Sequence, residues 1–348
     1  MKEYTKLLVT EMQSVSPTKI AKTISVKRQY KNELGEWHTT IKIGSKNSEN
    51  KLQKKFHNFE ISLNSQRNLR SKVEWLYQYA KARNIKTYSK KFIKSFKCVF
   101  LTLTLPSIQA HPSSFLITNV LDSFLQQLRK RLKMQNYVWR LEFQGNGNAH
   151  FHIVTDTYID YYLALKLWNN ELSKYGYIKA YQEKMSKMNF VEYCKRFGKN
   201  YKGEPLPKEI IFKRYENGNK TKWTKPNTVD VKNVSSGNNI NYYISKYFSK
   251  KEKSSKKNKL DNEENSFALR LCFWSRSLSR CKAVAMPTDY YEVDFFELLK
   301  NEDGARVFYF DYCSVIYYEF SKLSSWAQSV LRQYFLRCRS ADGYISAG

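Results

Sequence analysis

The stretch YVWRLEFQGNGNAHFHIVTD, residues 137–156, alternates apolar and polar side chains on both sides of the segment GNGN. Alternation with a period of two predicts two β-strands, and the glycine- and asparagine-rich segment predicts the turn that pairs them antiparallel. The polar face of this hairpin carries Glu142, His150 and His152, whereas the opposite face is apolar. The hairpin therefore predicts a sheet that buries one face and presents polar, chemically active side chains on the other.

The segments around this hairpin predict further strands and the helices that cover them. KCVFLTLTLP (residues 97–106) and TVDVKNV (residues 228–234) have the composition of strands. Residues 115–133 and 160–175 instead carry apolar stripes at helical spacing. Because the strand pairs are joined by short turns, we expect an α+β fold in which helices pack on a central antiparallel sheet.

Three regions are expected along the chain. Residues 1–95 read as a basic N-terminal arm followed by a helix, and residues 1 to about 60 are expected to be extended or partly disordered. Residues 96–285 hold the sheet, with a polar and irregular insertion at about 180–226. Residues 286–348 form an acidic and aromatic C-terminal appendage.

The charge of the chain indicates a polyanionic partner. The 348 residues carry a formal net charge of +29, which exceeds what solubility requires and favours nucleic acid as the partner. The N-terminus lacks the apolar core of a signal peptide, no run is long enough to span a membrane, and the cysteines are scattered. We therefore expect a cytoplasmic protein with reduced thiols and no membrane partner.

Two imidazoles and one carboxylate on adjacent strands predict a site for a divalent metal ion, Mg²⁺ or Mn²⁺. His150 and His152 share a face, and Glu142 lies on the same face of the neighbouring strand. Three such ligands leave coordination positions open for substrate oxygens. The alternative is that both histidines are ordinary surface groups, and Glu142 on the same face favours the metal site over this alternative.

The segment NYYISKYFSKK, residues 241–251, predicts a helix with four polar groups along one side. Tyr243, Lys246, Tyr247 and Lys250 recur at i, i+3, i+4 and i+7. Neighbouring ammonium groups favour the phenolate form of a tyrosine and can also stabilise charge on a phosphate. The alternative is an aromatic packing face with solvated lysines.

The segments FLTLTLP, HFHIV and YYISKYFSK follow one another in the order found in the HUH endonucleases, which initiate rolling-circle replication. The chain most resembles the replication initiators of microviruses, the small single-stranded-DNA phages, in which two tyrosines lie four apart on one helix. The resemblance spans roughly residues 98–280 and includes RLCFWSRSL, residues 270–278. It implies a ferredoxin- or RRM-like palm and a bacterial host cell.

The resemblance also implies a reaction. Glu142, His150 and His152 would hold the metal ion, and Tyr243 and Tyr247 would be the nucleophiles that cut single-stranded DNA at an origin. The products would be a 5′-phosphotyrosine and a free 3′ hydroxyl that primes synthesis. The covalent bond would conserve the energy needed to rejoin strands later.

Further residues and partners are expected around this chemistry. Lys246 and Lys250 would assist the tyrosines. DNA contacts are expected from cationic and aromatic side chains, namely Arg140, Lys251, Lys253, Arg270, Trp274 and Arg276. No GxxxxGK[ST] motif of a helicase motor occurs in the sequence, so a host helicase and a host polymerase are expected partners.

Two other functions are compatible with these patterns. One is an HUH transposase or relaxase, although relaxases usually place the tyrosine before the histidines and single-tyrosine transposases are much shorter. The other is a non-catalytic protein that binds single-stranded nucleic acid through charge and aromatic rings. Such a protein has no use for an open metal site, so the grouping of Glu142 with His150 and His152 distinguishes it from a nickase.

Overall fold

The computed structural model describes residues 4–31, 37–39, 63–80, 83–86, 92–200, 203–234, 271–279, 286–310 and 313–340. Several residues that the sequence singles out lie outside these ranges. They are the residues of the expected tyrosine helix and three cations, namely Tyr243, Lys246, Tyr247, Lys250, Lys251, Lys253 and Arg270.

The described strands alternate with the helices along the chain. The strands are β1 (Tyr4–Ser16), β2 (Lys19–Lys31), β3 (Trp37–Thr39), β4 (Arg83–Lys86), β5 (Phe92–Phe96), β6 (Cys98–Leu103), β7 (Tyr137–Phe143), β8 (Ala149–Thr155), β9 (Val229–Val234), β10 (Cys272–Trp274), β11 (Met286–Pro287), β12 (Ala305–Phe310) and β13 (Cys313–Tyr318).

The helices are α1 (Leu63–Tyr79), α2 (Ser113–Phe115), α3 (Asp122–Leu132), α4 (Tyr161–Lys174), α5 (Tyr177–Ser186), α6 (Phe190–Phe197), α7 (Lys208–Lys220), α8 (Arg276–Ser279), α9 (Phe295–Leu299) and α10 (Ser325–Ser340). A π-helical segment, Leu116–Leu121, joins α2 to α3. Two short 3₁₀ helices cover Thr288–Tyr290 and Phe320–Lys322.

A five-stranded sheet carries the predicted site. Its strand order is β10-β7-β8-β6-β9, and every pairing in it is antiparallel. The hairpin of β7 and β8 forms as the sequence predicts, and β6 and β9 are the two strands expected on its other side. The α+β fold with an antiparallel sheet is thus confirmed.

Helices cover only the apolar face of this sheet within its hydrophobic core. Trp139 and Phe151, on neighbouring strands, pack edge to face, and Phe151 packs in the same way on Trp168 of α4. Phe124 of α3 contacts the other side of Trp168, with 5.5 Å between the ring centroids. The indole nitrogen of Trp168 donates a hydrogen bond to the Thr104 carbonyl, which ties α4 to the end of β6. The polar side chains of the predicted site project from the opposite face, as the alternation predicts.

Residues 177–224 are helical rather than irregular, which corrects the expectation for this segment. Helices α5, α6 and α7 surround a small core of Met185, Tyr193, Ile211 and Trp223. A capping box between Asn189 and Glu192 begins α6. The sequence hides these helices because their few apolar residues are separated by many lysines and asparagines.

The N-terminal region also differs from its prediction. Residues 4–31 form the long β hairpin of β1 and β2, so the expectation of an extended or partly disordered arm is wrong there. This hairpin joins a six-stranded antiparallel sheet with strands from the C-terminal region, in the order β11-β1-β2-β13-β12, and β3 pairs with β2. Helix α1 forms where the sequence predicts it, and its apolar stripe is buried at Leu69, Val73 and Leu76.

The described residues fall into two compact units. Those within 1–55, 70–79 and 276–348 form one unit, which contains the six-stranded sheet. Those within 56–69 and 80–275 form the other, which contains the five-stranded sheet. The predicted boundaries at residues 95 and 285 remain predictions.

Candidate metal and nucleic-acid site

The register of three strands brings the candidate ligands together. Glu142 of β7 pairs directly with His150 of β8. His152 lies two residues further along β8, opposite Arg140 on one side and Thr102 of β6 on the other. Because residues two apart on a strand share a face, all five side chains project from the face opposite the helices.

The turn between β7 and β8 is held in place by side-chain hydrogen bonds. Gly147 adopts φ 84°, a conformation that favours glycine, and its N–H donates to the Gln144 carbonyl. The Asn148 amide donates to the Ser107 carbonyl, and its oxygen accepts from the N–H of Gln109. These bonds fix the start of β8, and therefore the position of the histidines that follow.

His152 has a partner at each ring nitrogen. Its Nε2 lies 3.0 Å from Glu142 Oε2, and its Nδ1 lies 3.3 Å from Thr102 Oγ1. The ring also stacks on Phe100, with 5.5 Å between the centroids, and only 2% of the residue is exposed. Packing and hydrogen bonds therefore fix the orientation of this imidazole.

His150 lies beside His152, with 4.6 Å between the ring centroids. Its Nδ1 lies 3.3 Å from the amide nitrogen of Gln144. Burial, followed by the neighbouring His152, lowers the pKa of His150 to about 4, and Glu142 opposes both effects. The ring is therefore neutral at pH 7, which is the form of histidine that binds metal ions.

Glu142 is ionised despite its partial burial. Burial raises the pKa of this carboxyl group, but the hydrogen bond with His152 and the charges of His152, Arg140 and His150 outweigh burial. The net effect lowers the pKa below its ordinary value of 4.5. Arg140 contributes through its Nη1, which lies 3.7 Å from Glu142 Oε1. The site thus offers one anionic oxygen ligand beside two imidazoles.

The donor atoms fit a divalent ion in spacing, although they are not gathered around one point. Two adjacent ligands of an octahedral ion, with bonds of about 2.1 Å, lie about 3.0 Å apart, and Glu142 Oε2 and His152 Nε2 have this separation. In this structure the two atoms are hydrogen-bonded to each other. Among the described residues, no three His, Cys, Asp or Glu side chains form a ready metal cage. Metal binding would therefore replace this hydrogen bond and reorient His150.

The structure also places the three described residues that were expected to contact DNA. Arg140 is 1% exposed and directs its charge towards Glu142. Trp274, at the end of β10, is partly exposed, and Arg276, at the start of α8, is exposed. Contacts with DNA from these side chains remain predictions.

Two supporting residues were missed by the sequence analysis. Thr102 was assigned to the polar face of its strand, but its contact with His152 depends on the register of β6 against β8. Gln144 lies in the turn, and nothing in its sequence position indicates a contact with His150. Hydrogen bonds of this kind orient imidazoles that bind metal ions.

The comparisons with known proteins agree with the sequence motifs. Within the described residues, no helix combines the length and the apolar character that crossing a bilayer requires. No curated protein and no solved structure is significantly similar to the chain. Residues 98–252 match a family model of replication-associated proteins, that of the replication-associated protein ORF2, and this match is consistent with a rolling-circle replication initiator. The region that carries Glu142, His150 and His152 is therefore similar to a family of replication-associated proteins, as its motifs predict.

Proposed function

We propose that this chain is a replication initiator that nicks single-stranded DNA at an origin and later rejoins strands. The observation that supports this proposal most strongly is the contact between Glu142 and His152, with His150 beside them, on the face of the sheet opposite the helices. The similarity of residues 98–252 to replication-associated proteins supports the same function.

In this proposal Glu142, His150 and His152 hold Mg²⁺ or Mn²⁺. When bound, the divalent ion would neutralise the anionic oxygens of the scissile phosphate, which otherwise repel a nucleophile. Thr102 and Gln144 would orient the two imidazoles by hydrogen bonds to their Nδ1 atoms. For Gln144 this requires its amide oxygen to face His150, an orientation related by an amide flip.

The nucleophiles in this proposal are Tyr243 and Tyr247, which lie outside the described residues. A phenolate oxygen bonds to phosphorus, the bond between phosphorus and the 3′ oxygen breaks, and the released 3′ oxygen takes up a proton. The products are a 5′-phosphotyrosine and a free 3′ hydroxyl. Lys246 and Lys250 favour the phenolate and balance charge on the phosphate.

The partners and location follow from this function. The 3′ hydroxyl needs a polymerase and the duplex needs a helicase, and we propose that a bacterial host cell supplies both in its cytoplasm. The binding of DNA itself agrees with the formal charge of +29.

Metal-dependent cleavage tests the proposal directly. Replacing His150 and His152 with alanine should abolish cleavage of single-stranded DNA in Mn²⁺ and leave most of the DNA binding intact. His111, a histidine of the same compact unit whose ring contacts Tyr177 and Phe115, provides the control. The variant His111→Ala should still cleave if it remains folded, and full cleavage by wild-type protein in EDTA would contradict the proposal.

A further inference from the structure

A cavity of about 710 Å³ opens between the helical segment 177–224 and one end of the five-stranded sheet. On the sheet side it is lined by Leu105 and Pro106, which follow β6, and by Pro226 and Asn227, which precede β9. The other side is formed by α5, α6, α7 and residues next to them. The sequence motifs shared with HUH endonucleases do not extend to this helical segment.

The charge of the cavity is strongly positive. Four cationic side chains line it, Lys184, Arg196, Lys199 and Arg214, and no aspartate or glutamate does. All four are exposed, and in the described part of the chain none of them pairs with a carboxylate. Cations that converge on one cavity without neutralisation repel one another, so the arrangement favours an anionic ligand.

Aromatic rings lie between these charges. Tyr181, Tyr193 and Phe197 line the cavity, and the rings of Tyr193 and Phe197 lie 4.8 Å apart. Arg196 lies over the Phe197 ring, with its guanidinium 5.6 Å from the centroid, and Phe197 is 36% exposed. Burial raises the pKa of both tyrosine hydroxyls, so they add no negative charge to the cavity. We call these three rings and the four cations the basic cleft.

The basic cleft lies at the same end of the sheet as the candidate metal site. Leu103 of β6 pairs with Phe151 of β8 and with Val229 of β9. Residues after Leu103 and before Val229 therefore extend beyond the same edge of the sheet as His150, which precedes Phe151. A DNA strand held at the metal site would reach this edge within a few nucleotides.

We propose that the basic cleft binds single-stranded DNA and holds nucleotides next to the phosphate that is cut. Cations contact the phosphates, and the aromatic rings stack on exposed bases, a combination that suits single strands. A cavity of about 710 Å³ accommodates one or two nucleotides but not the width of a duplex. The binding of DNA by this cleft stands on its own observations, whereas the position of the cut phosphate rests on the proposed function.

The test measures the affinity for fluorescein-labelled (dT)20 by anisotropy, from 50 to 300 mM KCl in EDTA, so that cleavage plays no part. The variant combines Arg196→Gln with Arg214→Gln. If both cations contact phosphates, the slope of log affinity against log salt should fall by about 1.4, and the affinity at 0.15 M salt should fall roughly tenfold. The matched control combines Lys195→Gln with Lys213→Gln, which removes the same charge from the same two helices outside the cleft.

Stacking is tested by Phe197→Ala, with Phe212→Ala as control. Phe212 is 54% exposed on α7 and does not line the cleft. We expect Phe197→Ala to weaken binding of (dT)20 by at least about fivefold, since a base loses its aromatic partner, and Phe212→Ala to have little effect. Thermal unfolding of each variant should match the wild-type protein.

The outcomes separate this inference from the proposed function. Equal slope changes in the arginine and lysine pairs would contradict it, because binding would then follow overall charge. Equal losses for (dT)20 and for a duplex of the same length would also contradict it. If the arginine pair and Phe197→Ala behave as expected but wild-type protein does not nick DNA, the cleft stands and the proposed nickase function fails.

Discussion

His152 of β8 and Glu142 of β7 contact each other across neighbouring strands, with 3.0 Å between Nε2 and Oε2. The two residues are diagonal neighbours, because Glu142 pairs directly with His150 and His152 lies two residues further along. A hydrogen bond between them requires a proton on one of the two atoms. A divalent ion would take the place of that proton, so metal binding and this hydrogen bond exclude each other.

Metal binding should stabilise the wild-type protein and not the variant Glu142→Gln. An ion that binds only the folded state adds about 2.7 kcal/mol when its concentration is 100 times its Kd. Replacing the carboxylate with an amide removes the anionic ligand while preserving the shape of the side chain. Thermal unfolding with and without Mn²⁺ measures the effect, and an equal rise of Tm in both proteins would show that the ion binds elsewhere.

Thr102 should affect metal affinity without touching the metal. When Nε2 of His152 binds the ion, Nδ1–H donates to Thr102 Oγ1, which fixes the ring. The nearly isosteric change Thr102→Val removes this acceptor, and we expect Mn²⁺ binding to weaken by about tenfold in calorimetry without DNA.

Thr104→Val is the matched control for this change. Thr104 follows β6 two residues after Thr102, but its hydroxyl donates to the Thr228 carbonyl rather than to an imidazole. Its loss should leave Mn²⁺ affinity near the wild-type value. Equal weakening by both substitutions would mean that Thr102 acts through the strand and not through His152.

The tyrosines of residues 241–251 should be partly interchangeable. If this segment is helical, Tyr243 and Tyr247 point within about 40° of each other, whereas Tyr242 is turned by about 100°. Tyr243→Phe or Tyr247→Phe should therefore each leave some covalent adduct with DNA, and the double variant should leave none. Tyr242→Phe is the control and should keep the full yield.

Mass spectrometry of the trapped phosphotyrosyl peptide locates the adduct. An adduct on Tyr242, or one that survives the double substitution, would contradict the assignment of the nucleophiles. If one single substitution removes every adduct, the enzyme uses one tyrosine and the other phenol only packs or orients.

Glu74 should make the stability of the protein depend on pH. Burial raises the pKa of this carboxyl group above 4.5, and the charge of Arg70 and hydrogen bonds from Thr18 and Arg70 compensate only in part. As pH rises, the unfolded chain loses this proton first, so the free energy of unfolding should fall from about pH 4.5 until the folded-state pKa is passed.

The variant Glu74→Gln isolates this effect. It should be at least as stable as the wild-type protein at pH 8, and the two should converge at pH 4, where the carboxyl group is largely protonated in both states. Urea unfolding at the two pH values measures the difference. Lower stability of Glu74→Gln at pH 8 than at pH 4, relative to wild type, would mean that the ion pair with Arg70 outweighs burial.

The sequence predicts the five-stranded sheet well, because its strands are strictly alternating and their main partners are close along the chain. Alternation alone assigns Glu142, His150 and His152 to one face, and the short turn fixes the register between their strands. The same argument fails for β2, whose partner β13 lies nearly 300 residues away in sequence. Such a pairing leaves little local signal beyond a few apolar residues such as Ile20.

The helical segment shows a second limit of sequence reasoning. Its core is built from aromatic residues scattered among polar ones, and Gly218 is needed because a Cβ atom there would lie 2.2 Å from the ring of Trp223. Close packing of this kind is a tertiary feature, and composition alone indicates a loop. The burial of Arg140 was missed for a similar reason, since it depends on what packs around a strand and not on the strand itself.

The central claim is metal-dependent nicking through a tyrosine. The most direct measurement incubates the protein with a pool of single-stranded oligonucleotides of randomised sequence that carry a 3′ label, in Mn²⁺ or in EDTA, and separates the products under denaturing conditions. We predict that the label becomes covalently attached to the protein in Mn²⁺ and not in EDTA, and that the released strands have a 3′ hydroxyl that a polymerase extends. Attachment in EDTA, or cleavage without any attachment of the 3′ label, would contradict the account.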